Sequence, residues 1–191
     1  MSKRLSLFAA AAVAAFALTS TATVIPASAE ATVNVGGAPM YPSKNIIQNA
    51  VNSKDHTTLV AAVKAAGLVD TLQGAGPFTV FAPTNDAFAK LPAGTVDTLL
   101  KPENKPTLTK VLTYHVVPGR LTATNLMKAV KDGGGTAKLT TVAGAEIIVK
   151  DAGPGKLSVT DTKGDVATVT IGDVLQSNGV IHVIDTVLLP N

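Results

Sequence analysis

The residues best suited to chemistry lie near the end of the chain, in the stretch NGVIHVIDTVLLP, which contains His182 and Asp185. A histidine close to an aspartate is a pairing used in general acid–base catalysis and in many metal sites. The stretch is otherwise apolar and is typical of a β-strand, in which residues two apart share a face. His182 and Asp185 are three apart, so they point to opposite faces. The spacing therefore argues against a direct His–Asp pair.

The other candidates for catalysis or metal binding lack the spacing that these functions need. His56 lies in a polar turn before a helical pattern, and His115 lies in LTYHVVPG. Neither belongs to an HxxH or HExxH motif, and no GxSxG motif displays a serine nucleophile. The glycine-rich DGGGTAK lacks the Gly-Lys-Ser/Thr of a phosphate-binding loop. We therefore predict no catalytic residue, no metal site and no cofactor.

Residues 1–29 have the features of a secretory signal peptide. Lys3 and Arg4 precede an uncharged apolar run, which ends in the small-residue pattern Ala-Ser-Ala at 27–29. We predict cleavage between Ala29 and Glu30, no membrane anchor after cleavage, and a secreted or periplasmic protein.

Charge and cysteine content exclude several other classes of protein. The chain has 16 Lys and Arg against 13 Asp and Glu, and loss of Lys3 and Arg4 lowers the basic count to 14 and the net charge from +3 to +1. Scattered lysines on a nearly neutral protein do not form the basic stripe that nucleic acids require, so we predict no nucleic-acid partner. With no cysteine, the fold must be stabilised by its core without disulfides.

The remainder divides into a helical half and a strand half. Residues 30–42, with two glycines and two prolines, predict a flexible N-terminal arm, and residues 43–191 a single domain. Helical patterns occur in 55–72, after Thr84, after Thr95, in 104–115 and in 124–130. Alternating strands follow in 137–142, 145–151, 156–161, 166–171 and 179–190. Tight turns between them predict an antiparallel meander, and the doubly apolar last strand predicts a central position. This order indicates an α+β domain.

Three stretches closely resemble signature motifs of the fasciclin (FAS1) domain family, in the same order. They are FTVFAPTNDAFAKLP at 78–92, LTYHVVPGRL at 112–121 and SNGVIHVIDTVLLP at 177–190. The resemblance implies the FAS1 fold, a wedge-shaped β-sandwich of about seven strands with several helices packed along one edge. It also implies that the first and last stretches lie side by side in the core. Hydrogen bonds of polar residues would link them, and the matching residues are Thr79, Thr84, His182 and Asp185.

The resemblance further implies a non-catalytic module for cell adhesion, with proteins of a cell surface or extracellular matrix as partners. A Tyr-His motif with neighbouring aliphatic residues is implicated in integrin binding by animal members. The residues that match it here are Tyr114, His115, Leu112, Val116 and Val117. The same pair, between a helix and a strand, can instead anchor the core through its hydrogen bonds.

Two other functions remain open beside adhesion by a monomeric module. One is a periplasmic binding protein for a small apolar ligand, such as a lipid held between the helices and the sheet. The other is a hydrolase.

Overall fold

Seven α-helices lie mainly in the first two-thirds of the computed structural model, which describes residues 32–190. They are Ile46–Ala50 (α1), Thr57–Ala66 (α2), Val69–Gln73 (α3), Asn85–Ala89 (α4), Thr95–Leu100 (α5), Lys105–Tyr114 (α6) and Ala123–Asp132 (α7). Helix α2 ends at Gly67, whose φ of 73° is the left-handed conformation that commonly terminates helices. Thr84 caps α4 by accepting a hydrogen bond from the N–H of Ala87. The predicted signal peptide lies outside the described residues.

Nine strands are present within residues 32–190. They are Val33–Val35 (β1), Ala38–Met40 (β2), Phe78–Pro83 (β3), Val116–Pro118 (β4), Thr136–Thr140 (β5), Glu146–Asp151 (β6), Leu157–Thr160 (β7), Val166–Gln176 (β8) and Gly179–Ile184 (β9). Strands β1 and β2 pair with each other, and the other seven form one sheet in the order β4-β3-β9-β8-β7-β6-β5. The predicted antiparallel meander is present from β5 to β9.

The last strand is central, as its apolar faces predict. Strand β9 pairs antiparallel with β8 and parallel with β3, so the first and last signature stretches lie side by side. Its Ile181 and Val183 belong to a core cluster formed with α1, α2 and α6. Ile184 belongs to a second cluster, formed with α7 and strands β5 to β8. Both faces of β9 are therefore buried, as its nearly uncharged sequence predicts.

The sheet curls into a barrel-like sandwich. Strand β8 shifts its register against β9 twice, between Val169 and Ile171 and between Ile171 and Val174. Asp173 in this irregular part has a φ of 55°, and such bulges bend a strand and increase its twist. The N–H of Val142, after β5, donates to the carbonyl of Val116 in β4 at 2.8 Å. The two edge strands of the sheet thus approach each other.

The predicted flexible arm is wrong for residues 33–40, which form a β-hairpin. Gly36 and Gly37, with φ of 60° and 75°, supply the left-handed turn that such a hairpin needs. Val35 and Met40 are each 1% exposed and pack into the first core cluster. Two short apolar runs around Gly-Gly are a hairpin signal, so the sequence NVGGAPM carried this information. Burial of these two side chains makes the hairpin part of the domain.

Candidate functional site

His182 lies at the centre of β9 and is fully buried. Its Nε2–H donates to the carbonyl of Leu121 at 2.8 Å, and its Nδ1 accepts from the N–H of Asp173 at 3.3 Å. The ring also stacks on Phe81 of β3, with centroids 5.7 Å apart. These two bonds define a neutral imidazole with the proton on Nε2, and burial lowers the pKa of His182. Both ring nitrogens therefore serve the fold, leaving no nitrogen free to act as a base.

Asp185 lies just after β9, and its carboxylate binds partners different from those of His182. Its Oδ1 accepts from the N–H of Thr168 in β8 at 2.8 Å, and its Oδ2 lies 3.7 Å from Lys90 Nζ. The side chain is 39% exposed, so the ion pair with Lys90 is partly solvated. No hydrogen bond joins His182 to Asp185 in the described residues. Asp185 holds the end of β9 against β8.

The two threonines of the first signature stretch also bind backbone groups. Thr79 is fully buried, and its hydroxyl donates to the carbonyl of Gly119 at 2.6 Å and accepts from the N–H of Leu121 at 2.8 Å. Thr84 caps α4, as described above. The two stretches are joined directly by Lys90, whose Nζ donates to the carbonyl of Asp185 at 2.6 Å and to Thr186 Oγ1 at 3.4 Å. Thr79 and His182 instead both bind a third segment.

That third segment is the connection between β4 and α7, residues 119–122. Thr79 and His182 bind it at Gly119 and Leu121, and Arg120 of the same segment donates from Nη2 to the carbonyls of Gln176 and Ser177 at 2.8 and 3.2 Å. The buried polar groups thus attach one loop to the central strands. Buried polar groups that are satisfied in this way favour one packing arrangement over others.

The Tyr-His motif lies where α6 passes into β4. Tyr114 is fully buried; its hydroxyl donates to the carbonyl of Glu146 at 2.9 Å and accepts from the N–H of Thr162 at 3.1 Å. It joins the end of α6 to strand β6 and to the turn after β7. A buried tyrosine hydroxyl usually finds such partners.

His115 is 3% exposed and also has both nitrogens occupied. Its Nδ1–H donates to the carbonyl of Val111 at 2.8 Å, and Nε2 accepts from the N–H of Leu188 at 3.0 Å. Burial lowers the pKa of His115 from 6.5 to about 4, against smaller opposing effects of the Val111 carbonyl and the charge of Asp161. The neutral ring therefore fastens the C-terminal segment to α6.

The aliphatic residues of the same motif are buried as well. Leu112, Val116 and Val117 are 3–6% exposed. A partner that docks on this fold as it stands cannot touch Tyr114, His115 or these three side chains. The arrangement matches the core-anchoring interpretation of the motif.

Two structural polar residues were missed in the sequence. Asp161 is buried, and its carboxylate accepts from the N–H groups of Lys163, Asp165 and Leu189, each at 2.9 Å. Asn178 accepts from the N–H of Ile46 and donates to the carbonyls of Leu72 and Gly74. Asp161 begins the turn DTKG, and an aspartate at the start of a turn often binds backbone N–H groups of that turn. The sequence around Asp161 gives no sign of its bond to the distant Leu189.

One serine and one histidine lie in contact, which bears on the hydrolase alternative. Ser53 Oγ is 2.9 Å from Nδ1 of His56. Both residues are buried, at 2% and 1% exposure, so no substrate in solution reaches the hydroxyl. Burial lowers the pKa of His56. The backbone of Ala82, which hydrogen-bonds to the ring, and the charge of Asp55 oppose this shift to a smaller extent.

His56 lines an apolar cavity of about 30 Å³ between α1, α2, α6 and β3. The other lining residues include Ile47, Leu59, Phe81 and His115. A single water needs roughly 10–15 Å³ of such volume, and an apolar cavity that binds benzene has a volume of about 150 Å³. This cavity has room for about one water and is too small for a lipid. A larger, more open cleft of about 350 Å³ lies between Ala123 of α7 and strands β7 and β8.

Residues 32–190 contain no cluster of His, Cys, Asp and Glu side chains that could hold a metal ion. Within the same residues, no helix has the length and apolar character needed to cross a membrane.

The different surroundings of His182 and Asp185 predict unequal losses of stability. His182→Ala strands the Leu121 carbonyl and the Asp173 N–H in the core, so we expect unfolding free energy to fall by about 1–3 kcal/mol. Asp185→Ala should cost about 1 kcal/mol, because water can reach the groups that it leaves. Since the residues share no partner, the double variant should lose the sum within about 0.5 kcal/mol. Urea denaturation measures all three.

Asp185→Asn is the matched control, because the amide oxygen can still accept from the N–H of Thr168. It should remain close to the wild-type stability. A wild-type stability for His182→Ala, or a strongly non-additive double variant, would return the pair to the candidates for a functional site.

Comparison with known proteins gives a consistent result. A family model described as Fasciclin domain matches residues 54–190. Protein sll1483 of Synechocystis sp. is 50% identical over 158 residues, covering 82% of this chain and 79% of that protein. Cell surface glycolipoprotein MPB83 of Mycobacterium bovis is 38% identical over 146 residues, covering 74% of this chain and 58% of that protein.

Among solved structures, the chain resembles a FAS1 domain pair from the insect cell adhesion molecule Fasciclin I. The TM-score is 0.69 at 20% sequence identity, and the match covers 84% of this chain and 58% of that chain. At this identity the likeness concerns the fold, and it confirms the fold class predicted from the three motifs.

Proposed function

Because the chain belongs to the fasciclin family, we propose that it is an exported, non-catalytic FAS1 module that attaches to proteins of a cell surface or an extracellular matrix. The observation that supports this most is its FAS1 fold, shared with a protein named as a cell adhesion molecule. A relative named as a cell surface glycolipoprotein supports a location outside the cell. The module is proposed to act as a monomer, without a cofactor and without a nucleic-acid partner.

A non-catalytic role fits the use that the fold makes of its polar residues. Both ring nitrogens of His115 and of His182 are hydrogen-bonded to backbone groups, and Asp185 accepts from a backbone N–H. A general base needs a nitrogen or oxygen within reach of a substrate proton. Ser53, the serine in contact with a histidine, is buried.

Attachment must then use exposed residues, since Tyr114, His115 and their aliphatic neighbours are buried. Their part in adhesion is proposed to be indirect. They hold the shape of the surface that the partner touches.

Beads coated with the purified protein test the proposal. They should retain intact cells or matrix fragments from the organism that makes the protein, and added soluble protein should compete for that retention. Beads coated with serum albumin are the control. Retention equal to that on albumin beads would contradict adhesion. A small molecule found in stoichiometric amount by native mass spectrometry would instead support the ligand-binding class.

Export predicts a defined mature protein. Because the pattern at 27–29 is that of a cleavage site, the intact mass of the secreted or periplasmic form should begin at Glu30. Mass spectrometry of culture medium and periplasmic extract measures this. A chain that still carries residues 1–29 and sediments with membranes would refute cleavage.

A further inference from the structure

The turn between β8 and β9 is surrounded by two cations and two exposed apolar side chains, Lys44, Arg120, Tyr41 and Leu175. We call these four residues the turn patch. Each is tied to the turn by position or by a bond. Leu175 precedes Gln176 in β8, the carbonyl of Lys44 accepts from the N–H of Ser177 at 2.9 Å, and Arg120 binds the carbonyls of Gln176 and Ser177. Tyr41 is linked to the turn through Asn49, whose Nδ2 contacts both the carbonyl of Tyr41 and the side chain of Gln176. The four residues therefore lie around the turn.

Arg120 is the only arginine beyond the predicted signal peptide, and it is held in place. Its Nη2 donates to two adjacent carbonyls, at 2.8 and 3.2 Å, which fixes the orientation of the guanidinium plane. A guanidinium has five N–H donors, so others remain for a ligand, and its fork matches the two oxygens of a carboxylate. An arginine fixed in this way loses less side-chain entropy when it binds.

Lys44 lies on the other side of the turn, where its Nζ is 4.8 Å from the centroid of the Tyr41 ring. This cation–π contact positions the ammonium group. The short helix α1 behind it is attached to the turn by the amide contact of Asn49 with Gln176. Both cations of the turn patch are thus placed by the fold.

Neither cation is neutralised by a neighbouring acid. The ion pairs recorded within residues 32–190 involve Lys90, Lys101, Lys128 and Lys138, and none includes Lys44 or Arg120. Asp173, the carboxylate on the same strand as Leu175, accepts from the N–H of Ala123 at 2.6 Å. Asp173 keeps its negative charge in this contact, but it forms no ion pair with Lys44 or Arg120 within residues 32–190, so both cations remain available to an anionic ligand.

The apolar members narrow the choice of ligand. Leu175 is 40% exposed and Tyr41 is 36% exposed, so both belong to the five exposed large apolar side chains of the described residues, although three valines elsewhere are more exposed. The Lys44 ammonium covers a face of the Tyr41 ring, so that face does not offer a stacking platform for a sugar. An aliphatic side chain can be buried against Leu175 by a peptide, whereas a polyanionic sugar has no group for it.

We propose that the turn patch binds an acidic segment of a partner protein that also presents aliphatic side chains. Carboxylates of the segment bind Arg120 and Lys44, and its aliphatic groups contact Leu175. This inference rests on the proposed adhesive function, for which it names the contact surface and the chemistry of the partner.

Fluorescence anisotropy with a labelled peptide of alternating glutamate and leucine tests the patch. We expect the purified protein to bind it in a salt-sensitive way, because exposed charges are screened by salt. The variant Lys44→Gln/Arg120→Gln should weaken binding at least about tenfold, the loss of about 1.4 kcal/mol that two ionic contacts can supply. The matched control Lys64→Gln/Lys150→Gln removes two exposed lysines far from the turn in sequence and should bind as the wild type does.

Two further variants separate binding from folding. Arg120→Lys keeps the charge but loses the fork, and Lys44→Glu reverses a charge whose side chain makes no hydrogen bond to the backbone. Lys44→Glu should abolish binding with an unchanged melting temperature.

Three results would overturn the proposal that the turn patch binds an acidic segment. The wild-type protein could fail to bind the peptide, the control variant could bind it as weakly as the Lys44→Gln/Arg120→Gln variant, or an acidic polysaccharide could bind more tightly than the peptide at the same residues. Retention of cells by beads coated with the Lys44→Gln/Arg120→Gln variant would refute the patch and leave adhesion standing. Peptide binding by a protein that retains no cells would refute adhesion alone.

Discussion

Tyr114→Ala is expected to lower the free energy of unfolding by about 3–5 kcal/mol, the usual cost of truncating a large buried aromatic residue. The side chain is fully buried, and its removal leaves a cavity between α6 and the strands β6 to β8. It also strands the carbonyl of Glu146 and the N–H of Thr162. Urea denaturation measures the loss, and the slope of the unfolding curve shows whether the transition remains two-state.

Tyr114→Phe is the matched variant, since it keeps the ring and removes only the hydroxyl. Its cost should be smaller, about 1–3 kcal/mol for the groups left unsatisfied. Lys138→Ala, which removes a solvent-exposed partner of Glu146, should change stability by less than about 1 kcal/mol. If Tyr114→Ala kept its stability and yet lost attachment to cells, the Tyr-His motif would be an adhesive contact after all.

The protein should lose stability steeply between about pH 6.5 and pH 4. Burial lowers the pKa of each of its three histidines, that of His115 to about 4. Below pH 6.5 the unfolded chain binds protons that the folded chain does not, so acid favours unfolding. A shift from 6.5 to about 4 corresponds to about 3 kcal/mol for His115 alone, fully present above pH 6.5 and lost progressively as the pH falls to about 4.

His115→Asn tests how much of this acid-dependent loss of stability is due to His115. The asparagine amide can still donate to the carbonyl of Val111, but it does not titrate. The variant should be less stable than the wild type at pH 7. Between pH 6.5 and pH 4, however, its free energy of unfolding should fall less steeply, and the two slopes should differ by about 1.4 kcal/mol per pH unit. Urea denaturation at several pH values gives the slopes. An unchanged slope in His115→Asn, or an NMR pKa near 6.5 for His115, would be inconsistent with a buried neutral ring.

Local patterns predicted most of the secondary structure and the antiparallel meander, but not the hairpin of residues 33–40. Thr84 and Gly67 mark helix ends because a cap and a left-handed turn depend on residue type and immediate neighbours. The alternation of NGVIHVIDTVLLP placed a strand with two apolar faces at the centre of a sheet, where β9 lies. The same alternation argued against a direct pair of His182 and Asp185, and the two side chains do bind different partners, although β9 ends at Ile184 before Asp185. The FAS1 fold class was predicted from the three motifs at 78–92, 112–121 and 177–190.

Only the tertiary structure decided what the polar residues hold. His182 binds a carbonyl 61 residues away, and His115 accepts from an N–H 73 residues away. Asn85 binds the N–H of Thr58 at the start of α2 from 27 residues away. These partners are backbone groups. Because almost every residue has them, the sequence does not indicate which of them a given side chain will bind. Burial of Tyr114 and His115 likewise depends on strands that form later in the chain. The sequence by itself indicated most of the helices and strands, while the meeting of distant backbone groups in the folded chain decided which polar side chains stabilise the core.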